Sequence, residues 1–411
     1  MAVPGIEDAA RVLADPSAYA DDARLHSALT HLRATAPVSR VEEPHYRPFW
    51  AITKHEDIMA VSRNNTLFTN YPRPVLIKSV QEETDIASQV KTLIHMDDPE
   101  HKVVRAIAGD WFRPKAMKAM KARVAELATI YVDKMRAMDG DCDFVQEVAV
   151  NYPLYVIMSL LGVPESDFPL MLKLTQELLG SDEPEYHRGA TEEDRTMALL
   201  EMFEYFNAVT ASRREHPTDD LASTIANATI DGEPLSDIET VGYYLIIATA
   251  GHDTTSATIS GGMQALIENP DERARLVADP GLMASAAEEM IRWTTPVKAF
   301  MRTATQDTEV RGVPITQGES LLLSYVSGNR DEDVFEDPFR FDVGRSPNNH
   351  VAFGYGVHFC LGAALARMEV SSFYSELLPR LRSVELTGYP ELIETTFVGG
   401  LKHLPIRASV V

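Results

Sequence analysis

Apolar positions alternate in short runs near the two ends of the chain and recur with helical spacing between them. Val38–Val41 and Phe49–Ile52 predict a hairpin. Thr308–Val310, Val313–Ile315 and Ser320–Ser324 predict short strands punctuated by Gly312 and Gly318. From about residue 99 to 293 the spacing is mostly helical. The longest helix is expected to begin at Ser236, because Ser236-Asp237-Ile238-Glu239 is a capping box, and to stop at Asn269, ahead of Pro270. That makes about nine turns. The pattern predicts a mainly α fold with small β sheets, β-rich near 38–52 and 308–324.

The middle of that helix is a poor choice for a buried turn. Gly251, Asp253, Thr254 and Thr255 follow one another closely. Glycine costs about 1 kcal/mol relative to alanine there, an unpaired carboxylate costs more, and threonine hydroxyls bond back to carbonyls and bend helices. The stretch is either a tolerated kink or a place where the helix opens for chemistry.

Composition sets bounds. The 411 residues are 45% hydrophobic, ample for a large core, and no linker, repeat or low-complexity block divides them, so one domain over 1–411 is expected. The first residues lack the basic and apolar regions of a signal peptide. The strongest apolar run, 243–251, is far shorter than the roughly 18 residues that span a bilayer. A cytoplasmic location follows as an expectation. A net charge of −23 disfavours nucleic acid and anionic membrane as partners. Arg113, Lys115, Lys118, Lys121 and Arg123 run against that charge, either as a solvated helix face or as a docking patch.

The sharpest chemical signal is the run 353–362, Phe-Gly-Tyr-Gly-Val-His-Phe-Cys-Leu-Gly. Cys360 stands just ahead of a helix-forming stretch, where the helix N-terminus stabilises a thiolate. Gly354 and Gly356 let the loop backbone approach a flat ligand. One thiolate without a CxxC partner argues against zinc or an iron–sulfur cluster and for a single axial bond to haem iron. A buried free cysteine is the plain alternative.

The pattern F-x-x-G-x-x-x-C-x-G in this run resembles the haem loop of the cytochromes P450. Ala250-Gly251-His252-Asp253-Thr254-Thr255 resembles that family's oxygen-activating helix, Glu289-Met290-Ile291-Arg292 its E-x-x-R pair, and 329–345 the meander that follows. The resemblance covers nearly the whole chain and looks closest to the α-terpineol monooxygenase group. It implies a P450 fold with haem b buried between the long helix and the cysteine loop, and a monooxygenase that inserts one atom of O2 into a C–H bond.

The same resemblance implies residue roles. Cys360 would be the axial ligand, with Phe353 and Gly354 in the haem loop and His101, Arg105, Arg302 and His358 on the propionates. Thr254 would hold bound oxygen and a water, while Asp253 relays protons. His252 has no role in the motif and is expected at the surface or behind the site. Glu289, Arg292 and Arg345 would brace the cysteine loop. Arg113, Lys115 and Lys118 would dock an acidic ferredoxin, served by a ferredoxin reductase, since no flavin or nicotinamide domain fits beside this fold.

Ile246, Ile247, Ala250, Val297, Ala299, Phe300, Phe397 and Val398 would line a pocket for a small hydrophobic substrate. A monoterpenoid or an alkylbenzene such as p-cymene, oxidised at an allylic or benzylic methyl, fits, and a larger aromatic hydrocarbon remains open. Residues 70–93 would cover the site. A monomer is expected. A peroxide-using haem-thiolate enzyme and a haem sensor or electron carrier are the rival readings.

Overall fold

The computed structural model describes residues 5–79, 90–138, 140–179, 185 and 192–411. Residues 80–89 of the cover expected over 70–93 therefore lie outside the described residues. Six helices position the site: α1 (Glu100–Gly109), α2 (Pro114–Met138), α3 (Asn151–Leu161), α4 (Asp237–Glu268), α5 (Met283–Thr294) and α6 (Ala363–Leu377). α4 starts and stops where local chemistry dictates. The Ser236 hydroxyl and the Glu239 carboxylate close the capping box, and Asn269 ends the helix before Pro270. Tyr244, Ala248 and Ile259 on its middle are fully buried, while Ala250 is exposed on the opposite face. One apolar core joins α2 through α6.

The expected opening of α4 over 250–255 is corrected by the structure, which stays α-helical there. Gly251 instead serves close packing. A Cβ at this position would come 2.6 Å from Ile157 Cγ1 of α3. The Thr254 hydroxyl donates to the Ala250 carbonyl one turn earlier at 2.9 Å.

The main sheet among the described residues has five strands: β1 (Val38–Val41), β2 (Phe49–Ile52), β3 (Phe68–Thr69), β4 (Ala299–Ala304) and β5 (Ser320–Ser324), in the order β1-β2-β5-β4-β3. β1 and β2 form the expected hairpin, while β2 also pairs in parallel with β5. Thr308–Val310 and Val313–Ile315 pair as a hairpin of their own. Strand alternation decides what β4 presents. Ala299 and Met301 enter the core beneath the N-terminal helices, so Phe300 and Arg302 face the other way.

The helical part is less continuous than its spacing predicts. Gly140–Asp143 is a strand that pairs with Pro405–Val410, which pairs in turn with Leu381–Leu386. Its partner lies at the far end of the chain, so no local signal announces it.

Candidate functional site

The cysteine loop is shaped by two glycines with left-handed backbone, Gly354 at φ +70° and Gly356 at φ +76°. A Cβ on Gly356 would lie 2.4 Å from the Ser62 carbonyl oxygen, so only glycine fits. The Cys360 amide donates to the Phe353 carbonyl at 2.9 Å and closes the loop. Gly362 then caps α6. Burial pushes the Cys360 thiol up; the amides of Gly362 and Ala363 and the charges of Arg105 and Arg367 pull it down. Burial outweighs those donors, so the thiol sits above its ordinary range, and the amides and guanidiniums are what would support a thiolate once a metal binds.

Cys360 opens onto a cavity of about 210 Å³. Its opposite wall is the α4 face carrying Ile246, Ile247, Ala250 and Thr254, flanked by Val297 and Phe300. His101, Arg105, Arg302 and His358 stand at its edge. The His101 and His358 rings lie 4.0 Å apart, and His101 Nδ1 and His358 Nε2 are buried without hydrogen-bond partners. Burial, then the charges of His101, Arg302 and Arg105, hold His358 neutral and push its pKa down to about 2. Arg302 is buried and donates to the Met301 carbonyl at 2.8 Å; burial lowers its pKa also. Arg105 donates to the Phe359 carbonyl at 2.6 Å.

Concentrated donors with unmet capacity beside a facing thiol fit a flat, dianionic metallocofactor. Its carboxylates would meet the edge cations and its metal would meet Cys360.

The other expected pocket residues divide. Phe397 sits behind the wall, edge-on to Phe300 with centroids 5.4 Å apart. Val398 forms an isolated bridge with Val297 and faces a different, smaller cavity. Ala299 is corrected outright. It lies on the core-facing side of β4, because neighbouring strand residues point to opposite faces.

Thr254 lines the main cavity, whereas Asp253 faces the smaller one behind α4. Burial pushes the Asp253 carboxyl above its ordinary range, with the His252 charge opposing. His252 is fully buried behind the site, the second of its two expected positions. Glu369, three residues after Ala366 and four after Leu365 on α6, puts a buried carboxyl on the cavity wall, a signal the motifs do not mark.

Glu289 and Arg292 of α5 are fully buried, at 0% exposure each. Arg292 donates from Nε and Nη2 at 2.7 and 2.8 Å, Arg345 from Nε at 3.1 Å, and Asn348 and the Asp342 amide complete the set. Arg113, Lys115 and Lys118 are exposed at and just before the first turn of α2, and Arg113 pairs with Asp110 at 2.7 Å. α2 packs against α6, the helix that follows Cys360.

Among the described residues no helix is long and apolar enough to cross a membrane. The family model for cytochrome P450 matches residues 17–279 and 281–406. The chain is 41% identical to cytochrome P450-terp of a Pseudomonas species, over 98% of this chain and 97% of that one. The crystal structure of CYP108D1 from Novosphingobium aromaticivorans superposes with a TM-score of 0.91 at 41% identity, covering 100% and 99% of the two chains. CYP268A2 of Mycobacterium marinum, in complex with pseudoionone, follows at 0.89 and 33% identity, covering 95% of this chain and 96% of that one.

Proposed function

This chain belongs to the cytochrome P450 family and is a haem-thiolate monooxygenase, and on that premise we propose that it hydroxylates a small hydrophobic terpenoid or alkylbenzene at an allylic or benzylic methyl. The observation that carries this is the apolar wall of Ile246, Ile247, Ala250, Val297 and Phe300 above Cys360. It holds a ligand by shape, with few hydrogen bonds. The relative named P450-terp and the pseudoionone complex of CYP268A2 point to the same substrate class.

Haem b, when bound, would supply the iron chemistry that activates O2, with the Cys360 thiolate as its electron-donating ligand. Cys360 holds the iron, and the Gly362 and Ala363 amides stabilise its charge. His101, Arg105, Arg302 and His358 orient the propionates. Thr254 turns its hydroxyl from the Ala250 carbonyl toward a water in the cavity and holds it in place. Asp253 brings protons from behind α4, while the apolar wall excludes bulk water. Electrons come from a ferredoxin that meets Arg113, Lys115 and Lys118.

A substrate screen tests this reading. Terpenes, alkylbenzenes and polycyclic aromatics would be compared for the spin-state shift of the haem absorbance and for oxygen-dependent product. Hydroxylated terpenoid or alkylbenzene is the expected result; a response confined to polycyclic aromatics sinks it. Cys360→His should abolish the thiolate signature of the reduced carbon monoxide complex, and Cys142→Ser should leave it intact. Cys142 lies on the strand Gly140–Asp143, and burial pushes its thiol up to about 11.

A further inference from the structure

His252 is the buried titratable group that the motif leaves without a task. Its Nε2 lies 2.8 Å from the Val150 carbonyl. A carbonyl only accepts, so Nε2 carries a proton in every state of the ring. The charge of the imidazole is then decided at Nδ1, which lies 3.1 Å from Asp253 Oδ1. That separation brings the two groups into electrostatic contact without hydrogen-bond alignment. Nδ1 and Asp253 Oδ2 are both left buried and unpartnered.

Asp253 faces the smaller cavity, of about 40 Å³, which it lines with Gln176 and Ser256. By that measure one water needs about 10–15 Å³ and two or more polar partners, so the cavity suits a short water chain. Gln176, Val150 and residues 393 and 398–401 bring no charge to it. Glu177 lies 4.0 Å from Lys173, and Lys402 lies near Glu185 and Glu391. Among the described residues, His252 is the group beside the Asp253 carboxyl that can carry a positive charge against it.

We propose that His252 is a positioning residue for proton delivery: its imidazole is the counter-charge of Asp253 and keeps the carboxyl turned to the smaller cavity, where water supplies its protons. Asp253 thus loads behind α4 and delivers beside Thr254 on the front. A proton enters from water, resides on the carboxyl and leaves toward the main cavity, so charge balances at each transfer. This rests on the reading of Asp253 as the relay.

Two variants separate charge from structure. His252→Gln keeps a donor for the Val150 carbonyl but loses the charge, whereas His252→Phe loses both. In the resting holoenzyme, the carboxylic-acid infrared band that Asp253→Asn removes is titrated against pH. Both His252 variants should titrate higher than the parent by about one pH unit or more, the shift expected when an opposite charge within 4–6 Å is removed. The pH profile of product per reducing equivalent should move the same way.

A His252→Gln titration that overlays the parent overturns the proposal and leaves His252 a structural donor. The relay reading fails on a different result, namely Asp253→Asn with the parent's turnover and solvent isotope effect.

Discussion

Glu289 and Asp253 are both carboxylates inside the helical core, and their surroundings are opposite. Glu289 receives Arg292, Arg345, Asn348 and a backbone amide. Asp253 Oδ2 receives nothing. A carboxylate whose lone pairs are filled by guanidinium donors is fixed in place and in charge. One left beside a single imidazole and a small cavity is free to change both. Complete pairing marks a brace, and incomplete pairing marks a group meant to act.

The most severe test of that contrast removes the braced charge. Glu289→Gln leaves Arg292 and Arg345 buried against a neutral amide, and stability should fall by about 3–5 kcal/mol. Chemical denaturation of the holoenzyme reads it. A loss under about 1 kcal/mol would mean the two guanidiniums are satisfied without the carboxylate.

Thr254→Ala comes next. The protein should fold and bind substrate as the parent does, while product per reducing equivalent falls about tenfold, or roughly 1.4 kcal/mol in selectivity. Hydrogen peroxide should rise to match. Product and peroxide counted together decide it, and tight coupling in the variant would return this hydroxyl to a purely helical role.

Asp253→Asn sharpens the comparison through stability. Burial raises the carboxyl's pKa in the fold, so the folded chain holds this proton more tightly than the unfolded chain. The resulting stability is full below the ordinary carboxylate range and is lost as pH rises through the raised value. The amide has no such loss. Its advantage over the parent should grow from nil in acid to about 1 kcal/mol at neutral pH, read as the pH dependence of denaturation midpoints. A neutral-pH loss like that of Glu289→Gln would erase the distinction.

The exposed cations supply the mildest case. Charge reversal at Arg113, Lys115 and Lys118 should change stability by less than about 0.5 kcal/mol. Ferredoxin-supported electron transfer should slow at low salt and recover as salt rises, because exposed charges are screened beyond about 8–10 Å. Salt-independent kinetics identical to the parent's would leave these residues a solvated helix face.

Much of this architecture is readable from local chemistry. The capping box at Ser236 and the break at Pro270 bound α4 to within one residue at each end, and alternation marked β1, β2 and β5. The spacing around Cys360 pointed to a metal-bound thiolate before any fold was known. What stayed hidden depends on partners distant in sequence. The face that Ala299 presents follows from which core lies behind β4. His252 looks like any polar residue until Val150 is packed against it. Gly251 suggested an opened turn, but its reason is Ile157 on another helix. The Gly140–Asp143 strand waits for residues at the other end of the chain.

The parallel pairing of β2 with β5 has a consequence for biosynthesis. Until Ser320–Ser324 leaves the ribosome, β2 has a partner on only one side, and its other edge is an open row of backbone donors and acceptors. Arg302 and Cys360 emerge late as well, on β4 and in the loop ahead of α6. Helices α2, α3 and α4 can pack on one another first, before α6 joins them. The haem-binding cleft cannot form so early, since Cys360 emerges well after the α4 wall it faces. Cofactor capture therefore belongs to the finished polypeptide, and a chain stalled before β5 presents a bare strand edge to its neighbours instead.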